Sequence, residues 1–246
     1  MLYNIKHLAF YFLLATISFS CTEKHRDKIK ISPISHATFI LEHGNEIIYI
    51  DPVGGKIAFD GKKSPTLVLI TDIHGDHFNN ETLLNLSLQN TPIVLPKAVS
   101  EKLDTRLYTN TIVLNNNESH KINESLSIEA IPMYNLREEA LKFHPKGRGN
   151  GYVLTLGGKR IYISGDTEDI EEMRNLENID IAFVCMNLPY TMPVKSAANA
   201  VLDFKPKKVY PYHYRGKNGL SDVALFKKIV TDANTAIEVV QFNWYK

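Results

Sequence analysis

Apolar and polar residues along the chain mark out short strands punctuated by turns. Leu67-Val68-Leu69-Ile70 is a continuous apolar run with the length and β-branched content of a buried strand. Ahead of it lie three strand-like pieces at 29–31, 37–42 and 46–50. His43-Gly44-Asn45 separates the last two as a hairpin signal, and Asp51-Pro52 ends the third, because proline cannot continue a central ladder. Beyond the run, the pattern predicts a helix over about 80–89, a strand at 93–95, a helix over 98–106, a strand at 111–114 and an alternating strand at 126–132. The first half of the fold is expected to end there. The second half reads as strands at 151–156 and 160–164 joined by a tight Gly157-Gly158 turn, then a strand at 181–186 and a helix over 194–204. A strand running from Lys207 to His213, a helix over 221–232 and a strand at 236–240 close the chain.

Composition adds little beyond one domain. The 246 residues are 44% hydrophobic and 22% charged, enough for one sizeable core, and the formal charge of +1 gives no general attraction to nucleic acid. Residues 1–20 stand apart. Lys6 and His7 precede the stretch from Leu8 to Phe19, which is too short to span a bilayer comfortably but suits a signal-peptide core. Ser18-Phe19-Ser20-Cys21 resembles a relaxed lipobox, with Ser18 where an aliphatic residue is usual. This predicts a lipid anchor at Cys21, a charged tether over 21–30, a domain over 31–246, and residence in the periplasm or outer envelope of a bacterium. A plain secretory signal and an uncleaved anchor are the alternatives. Cys185 then remains as the one thiol of the body, in an apolar strand-like run where it serves packing.

The chemistry gathers in Thr71-Asp72-Ile73-His74-Gly75-Asp76-His77, which places four potential metal ligands within six residues just after the apolar run. Asn79-Asn80-Glu81 follows as a helix start. A strand-to-helix turn holds imidazoles and carboxylates on one rim with little freedom, as a metal requires. A polar loop is the plain alternative. Gly54-Gly55 lacks the Lys-Ser/Thr ending of a phosphate-binding loop.

This stretch resembles the HxHxDH signature of the metallo-β-lactamase-fold hydrolases, with Asp72 in place of the first histidine. The resemblance runs over most of the chain after about residue 31, and is to small single-domain members such as the ascorbate-phosphate lactonase-like and phosphodiesterase-like metal-dependent hydrolases. It implies an α+β fold, a four-layer αββα sandwich of two mixed β-sheets with helices outside and the metal site along one sheet edge. Asp76, His77, Asp166 and His213 match the family's second metal position. Asp166 lies in Gly165-Asp166-Thr167, where the family's aspartate bridges two metals; alternatively it caps a helix over 168–174. Asp72 and His74 would serve the first position. The next family histidine falls where this chain has Tyr134-Asn135, and asparagine is a poor ligand. His144, nine residues on in a Gly- and Lys-rich loop, is the expected substitute ligand or acid–base group, or else an exposed loop histidine.

By the same resemblance Asp51 orients a metal-binding histidine from behind, unless it merely forms an Asp-Pro turn, and His36 sits behind the site or on its rim. Tyr190, Arg215 and Lys217 are expected to hold the substrate, the two cations as a clamp for phosphate or carboxylate or as solvated loop charges. One or two ions of Zn2+ or Mn2+ per chain are expected, Asp72 being a harder donor than histidine. The implied reaction is metal-activated hydrolysis of an ester, lactone or phosphodiester in a small molecule, with Asp76 steering the water. A mononuclear hydrolase and a metal-free envelope or ligand-binding lipoprotein with a decayed site are the rivals.

Overall fold

The computed structural model describes residues 28–245; the signal segment and most of the tether lie outside the described residues. The chain begins with three antiparallel strands, β1 (Lys30–Ser35), β2 (Thr38–His43) and β3 (Glu46–Ile50). It then adds β4 (Leu67–Leu69), α1 (Asn80–Asn85), β5 (Ile93–Leu95), α2 (Lys97–Ser100) and β6 (Thr111–Val113). These six strands form one sheet in chain order, antiparallel at first and parallel from β3 onward.

The second sheet starts with β7 (Ser119–Asn123), β8 (Leu126–Met133), β9 (Gly149–Leu156) and β10 (Lys159–Ile163), all antiparallel. After α3 (Glu171–Arg174), strand β11 (Ile181–Cys185) pairs parallel to β10. Helix α4 (Val194–Phe204), strand β12 (Lys208–Tyr212), a small hairpin of β13 (Arg215–Gly216) and β14 (Gly219–Leu220), helix α5 (Val223–Ala233) and β15 (Glu238–Val239) complete the chain. The sheet order is β15-β12-β11-β10-β9-β8-β7. Among the described residues no helix is long and apolar enough to cross a membrane.

The period-2 geometry of β4 shows how the layers form. Leu67 and Leu69 face the second sheet and join the large core with Phe39, Ile48, Ile50, Phe183 and Tyr212. Val68 and Ile70 face outward, where Leu83, Leu86, Val99 and Leu103 cover them. On the far side, α4 packs Ala197, Ala198, Val201 and Phe204 against the second sheet, and α5 adds Phe226 and Val230. The result is the four-layer sandwich of two mixed sheets with helices outside.

Several boundaries differ from the sequence expectation. The first sheet ends at Val113, and the 126–132 strand belongs to the second sheet, so the halves divide earlier than expected. Helix α1 stops at Asn85, with Ser87 in left-handed backbone (φ 55°) just beyond it. The 98–106 segment is one α-turn followed by a separate 3-10 turn, Thr105–Asn110, capped by Asp104. The 168–174 helix shrinks to α3, because Glu168 is buried and its carboxylate accepts from the backbone of Leu136 and Arg137.

Candidate metal centre

Apart from His144, which lies in the connection between β8 and β9, the candidate ligands follow strand ends on one edge of the sandwich. The motif leaves the end of β4, Asp51 follows β3, Asp166 follows β10, and His213 follows β12. Asn79 fixes the exit of the motif by accepting a 2.7 Å hydrogen bond from Thr82 N as the cap of α1. Gly165 permits the approach of Asp166: its φ is 60°, and a Cβ there would lie 2.5 Å from Met133 Sδ.

Asp51 is fully buried and takes three donors. Thr71 N–H and Oγ1–H each donate at 2.7 Å, and His77 Nδ1 lies 2.8 Å from Oδ2. The His77 proton is thereby placed on Nδ1, and its Nε2 lone pair points into the site. There it meets His213 Nε2 at 3.2 Å, Asp166 Oδ2 at 3.5 Å and Asp76 Oδ1 at 3.9 Å. His213 Nε2 is 3.3 Å from both Asp76 Oδ2 and Asp166 Oδ1. Burial disfavours charge on both rings, yet Asp166 raises their pKa values, with Asp51 adding to His77. Burial equally pushes Asp76 and Asp166 upward, but the two imidazoles hold both carboxyls below the usual carboxylate range.

Two imidazole nitrogens facing each other at 3.2 Å beside two carboxylates either share a proton or hold a cation, and this donor set answers a metal's need for nitrogen and oxygen ligands. Asp166 Oδ1 is buried with no hydrogen-bond partner among the described residues, which agrees with that need. His77, Asp166 and His213 therefore fit a metal, each offering a ligand atom within 4.8 Å of the others, and Asp76 stands beside them 3.3 Å from His213 Nε2. Asp166 does not cap α3, whose N-cap is Ile170. His36 stands behind His213, ring centroids 4.4 Å apart, with Nδ1 2.9 Å from Tyr245 Oη; burial first, and His213 second, lower its pKa to about 4.

His144 is only 1% exposed, so it is no loop-surface histidine. Its Nδ1 lies 3.1 Å from the Tyr190 carbonyl, and its Nε2 faces Asp166 Oδ2 at 3.2 Å with no hydrogen-bond partner among the described residues. Asn135 braces this arrangement and reaches no ligand position. Its amide hydrogens go to the carbonyls of Ala140 (2.9 Å) and Tyr190 (2.7 Å), and its backbone N–H donates to the His144 carbonyl.

Asp72, His74 and His144 can bring one ligand atom each within 4.8 Å of one another. Asp72 nevertheless has another partner. Arg148 donates Nε to Oδ1 at 3.0 Å and Nη2 to Oδ2 at 2.8 Å, and His74 Nδ1 lies 2.9 Å from Oδ2. No role was expected for Arg148, which lies 76 residues from Asp72 in the sequence. The first position therefore does not fit a metal as the second does.

A cavity of about 470 Å³ opens over these groups. His36, His74, Asp76, His144 and Asp166 line it together with Phe143, Tyr190, Arg215 and Lys217. Phe143 and Tyr190 pack edge-on at 5.1 Å, and Arg215 lies over the Tyr245 ring at 4.7 Å. Cys185 is buried, and burial pushes its thiol up to about 12, in keeping with packing.

The sandwich and its edge of histidines and aspartates define a metal-dependent hydrolase of the metallo-β-lactamase fold. Residues 30–213 match the β-lactamase superfamily domain, and the chain belongs to that superfamily. It is 31% identical over 190 residues to a metal-dependent hydrolase of Nanoarchaeum equitans, covering 76% of this chain and 84% of the relative. A similar protein of Pyrococcus furiosus is 30% identical over 212 residues, 82% of this chain and 92% of the other. Among solved structures, one described as a metal-dependent hydrolase from Parabacteroides distasonis superposes with a TM-score of 0.78 at 34% identity, over 89% of this chain and 94% of that one.

Proposed function

We propose that the protein hydrolyses a small-molecule ester, lactone or phosphodiester, using Zn2+ or Mn2+ held by Asp76, His77, Asp166 and His213. The observation that carries this reading is the 3.2 Å approach of the His77 and His213 Nε2 atoms between two carboxylates. When bound there, a divalent ion lowers the pKa of water and polarises the scissile oxygen.

The chain's own groups do the rest. Asp51 fixes the His77 tautomer. Asp76, which lines the cavity, accepts a hydrogen bond from the attacking water and orients it. His144, its Nδ1 held by the Tyr190 carbonyl, turns Nε2 into the site as the acid–base group nearest the leaving oxygen. Arg215 and Lys217 hold the anionic part of the substrate, and Tyr190 supplies an aromatic wall. The lipid at Cys21 and an envelope location belong to the same proposal, supported by the sequence of residues 1–21; labelling with a radioactive fatty acid, lost in Cys21→Ser, tests them.

The test of activity uses protein lacking residues 1–21, supplied with zinc or manganese, against lactones, phosphodiesters and acyl esters. His77→Ala and Asp166→Asn should each remove both retained metal and turnover of whichever class is cleaved. Full turnover in both variants refutes the assignment.

A further inference from the structure

Among the described residues the four groups of the second position have no lysine or arginine partner, whereas Asp72 in the first already has one. We infer that the protein holds a single divalent ion per chain, and that the guanidinium of Arg148 stands in for the charge of a second. This rests on the proposed metal position at Asp76, His77, Asp166 and His213.

The argument is a count of free ligands. Asp72 is fully buried, and both its oxygens receive the Arg148 fork. Oδ2 also faces His74 Nδ1 at 2.9 Å, so three of the roughly four acceptor directions of the carboxylate are used. His74 has both ring nitrogens against the same ion pair, Nδ1 on Asp72 and Nε2 at 3.4 Å from Arg148 Nη2. Only His144 and the shared Asp166 remain, fewer than the three protein ligands that hold a hydrolytic metal. Arginine cannot lose its charge to make way, and Nη2 is further tied to the Phe143 carbonyl. An ion in the first position would therefore meet a fixed, largely buried cation.

The test is stoichiometry. Protein stripped with a chelator, reloaded with excess Zn2+ or Mn2+ and desalted should contain one equivalent by elemental analysis, and its Mn2+ form should show an EPR spectrum without exchange coupling. Arg148→Met should take up a second equivalent. Should that variant fail to fold, the double variant Asp72→His, Arg148→Met removes both members of the ion pair and carries the same expectation. Two equivalents in the wild type, or a coupled spectrum, overturn the single-ion inference and leave the hydrolase reading standing. No metal in the wild type overturns both. One equivalent in the wild type and in the folded Arg148 variants alike overturns the role given to Arg148.

Discussion

Replacing Asp51 by alanine removes an acceptor that no substrate or metal is expected to touch, and its effect can be worked out from the contacts. Three buried donors lose their partner: Thr71 N–H, Thr71 Oγ1–H and His77 Nδ1–H. The Thr71 hydroxyl lies 2.9 Å from His77 Nδ1 and can accept from it, which rescues one. Two buried donors remain unpaired at about 1–3 kcal/mol each, so the metal-free protein should lose roughly 2–6 kcal/mol, a large part of a typical domain's stability. With its ring no longer held, His77 should bind metal about 10- to 100-fold more weakly. Asp51→Asn keeps the shape and one acceptor, so it should destabilise less while weakening metal binding comparably. Urea unfolding of stripped protein and competition against a chelator measure the two effects separately. An Asp51→Ala protein within about 0.5 kcal/mol of wild type, with unchanged metal affinity, refutes the reasoning.

Three further outcomes follow from the site. The stability supplied by Asp76 and Asp166, whose pKa values are lowered, is present above the unfolded carboxylate value of about 4 and lost as pH falls through the folded values. That supplied by His77 and His213, whose values are raised, is complete below about 6.5 and lost as pH rises. Metal-free protein should thus melt lower at pH 9 than at pH 6, and bound metal, replacing the protons, should reverse the trend; calorimetry in both states checks this. Arg215→Ala should raise KM for an anionic substrate about tenfold, one charge-assisted hydrogen bond, with kcat nearly unchanged and a neutral ester unaffected. A thiol-alkylating reagent at pH 8 should leave both the mass and the turnover of folded protein lacking residues 1–21 unchanged, since Cys185 is buried and its thiol is pushed up to about 12.

The strands that build the edge were legible because burial wrote them in apolar residues. β4 is the clearest, and β8 alternates as a half-buried strand should. β7 was not legible: Ser-His-Lys-Ile-Asn is a polar edge strand held by backbone pairing to β8, and side-chain pattern does not record that. The 3-10 turn at Thr105–Asn110 depends on one cap and a local fork from Arg106 to Asp104 rather than on periodicity. Within the site, Asp76 and His77 announce themselves by spacing, and Asp166 and His213 by following strands. The support for His144 could not be read in this way, because Asn135 reaches a carbonyl 55 residues away. The Asp72–Arg148 pair spans 76 residues, and only folding brings the two together.

His36, Asp51 and His213 all have left-handed backbone, with φ of 57°, 44° and 45°, a conformation that costs a non-glycine residue on the order of 1–3 kcal/mol. This corner of the sandwich works against the rest of the domain's thermal endurance. A library ranked by melting temperature with chelator present at alkaline pH, where His213 no longer adds stability through its proton, would accordingly enrich glycine at 36 and 213, and the hardiest clones would be those that had given up the chemistry.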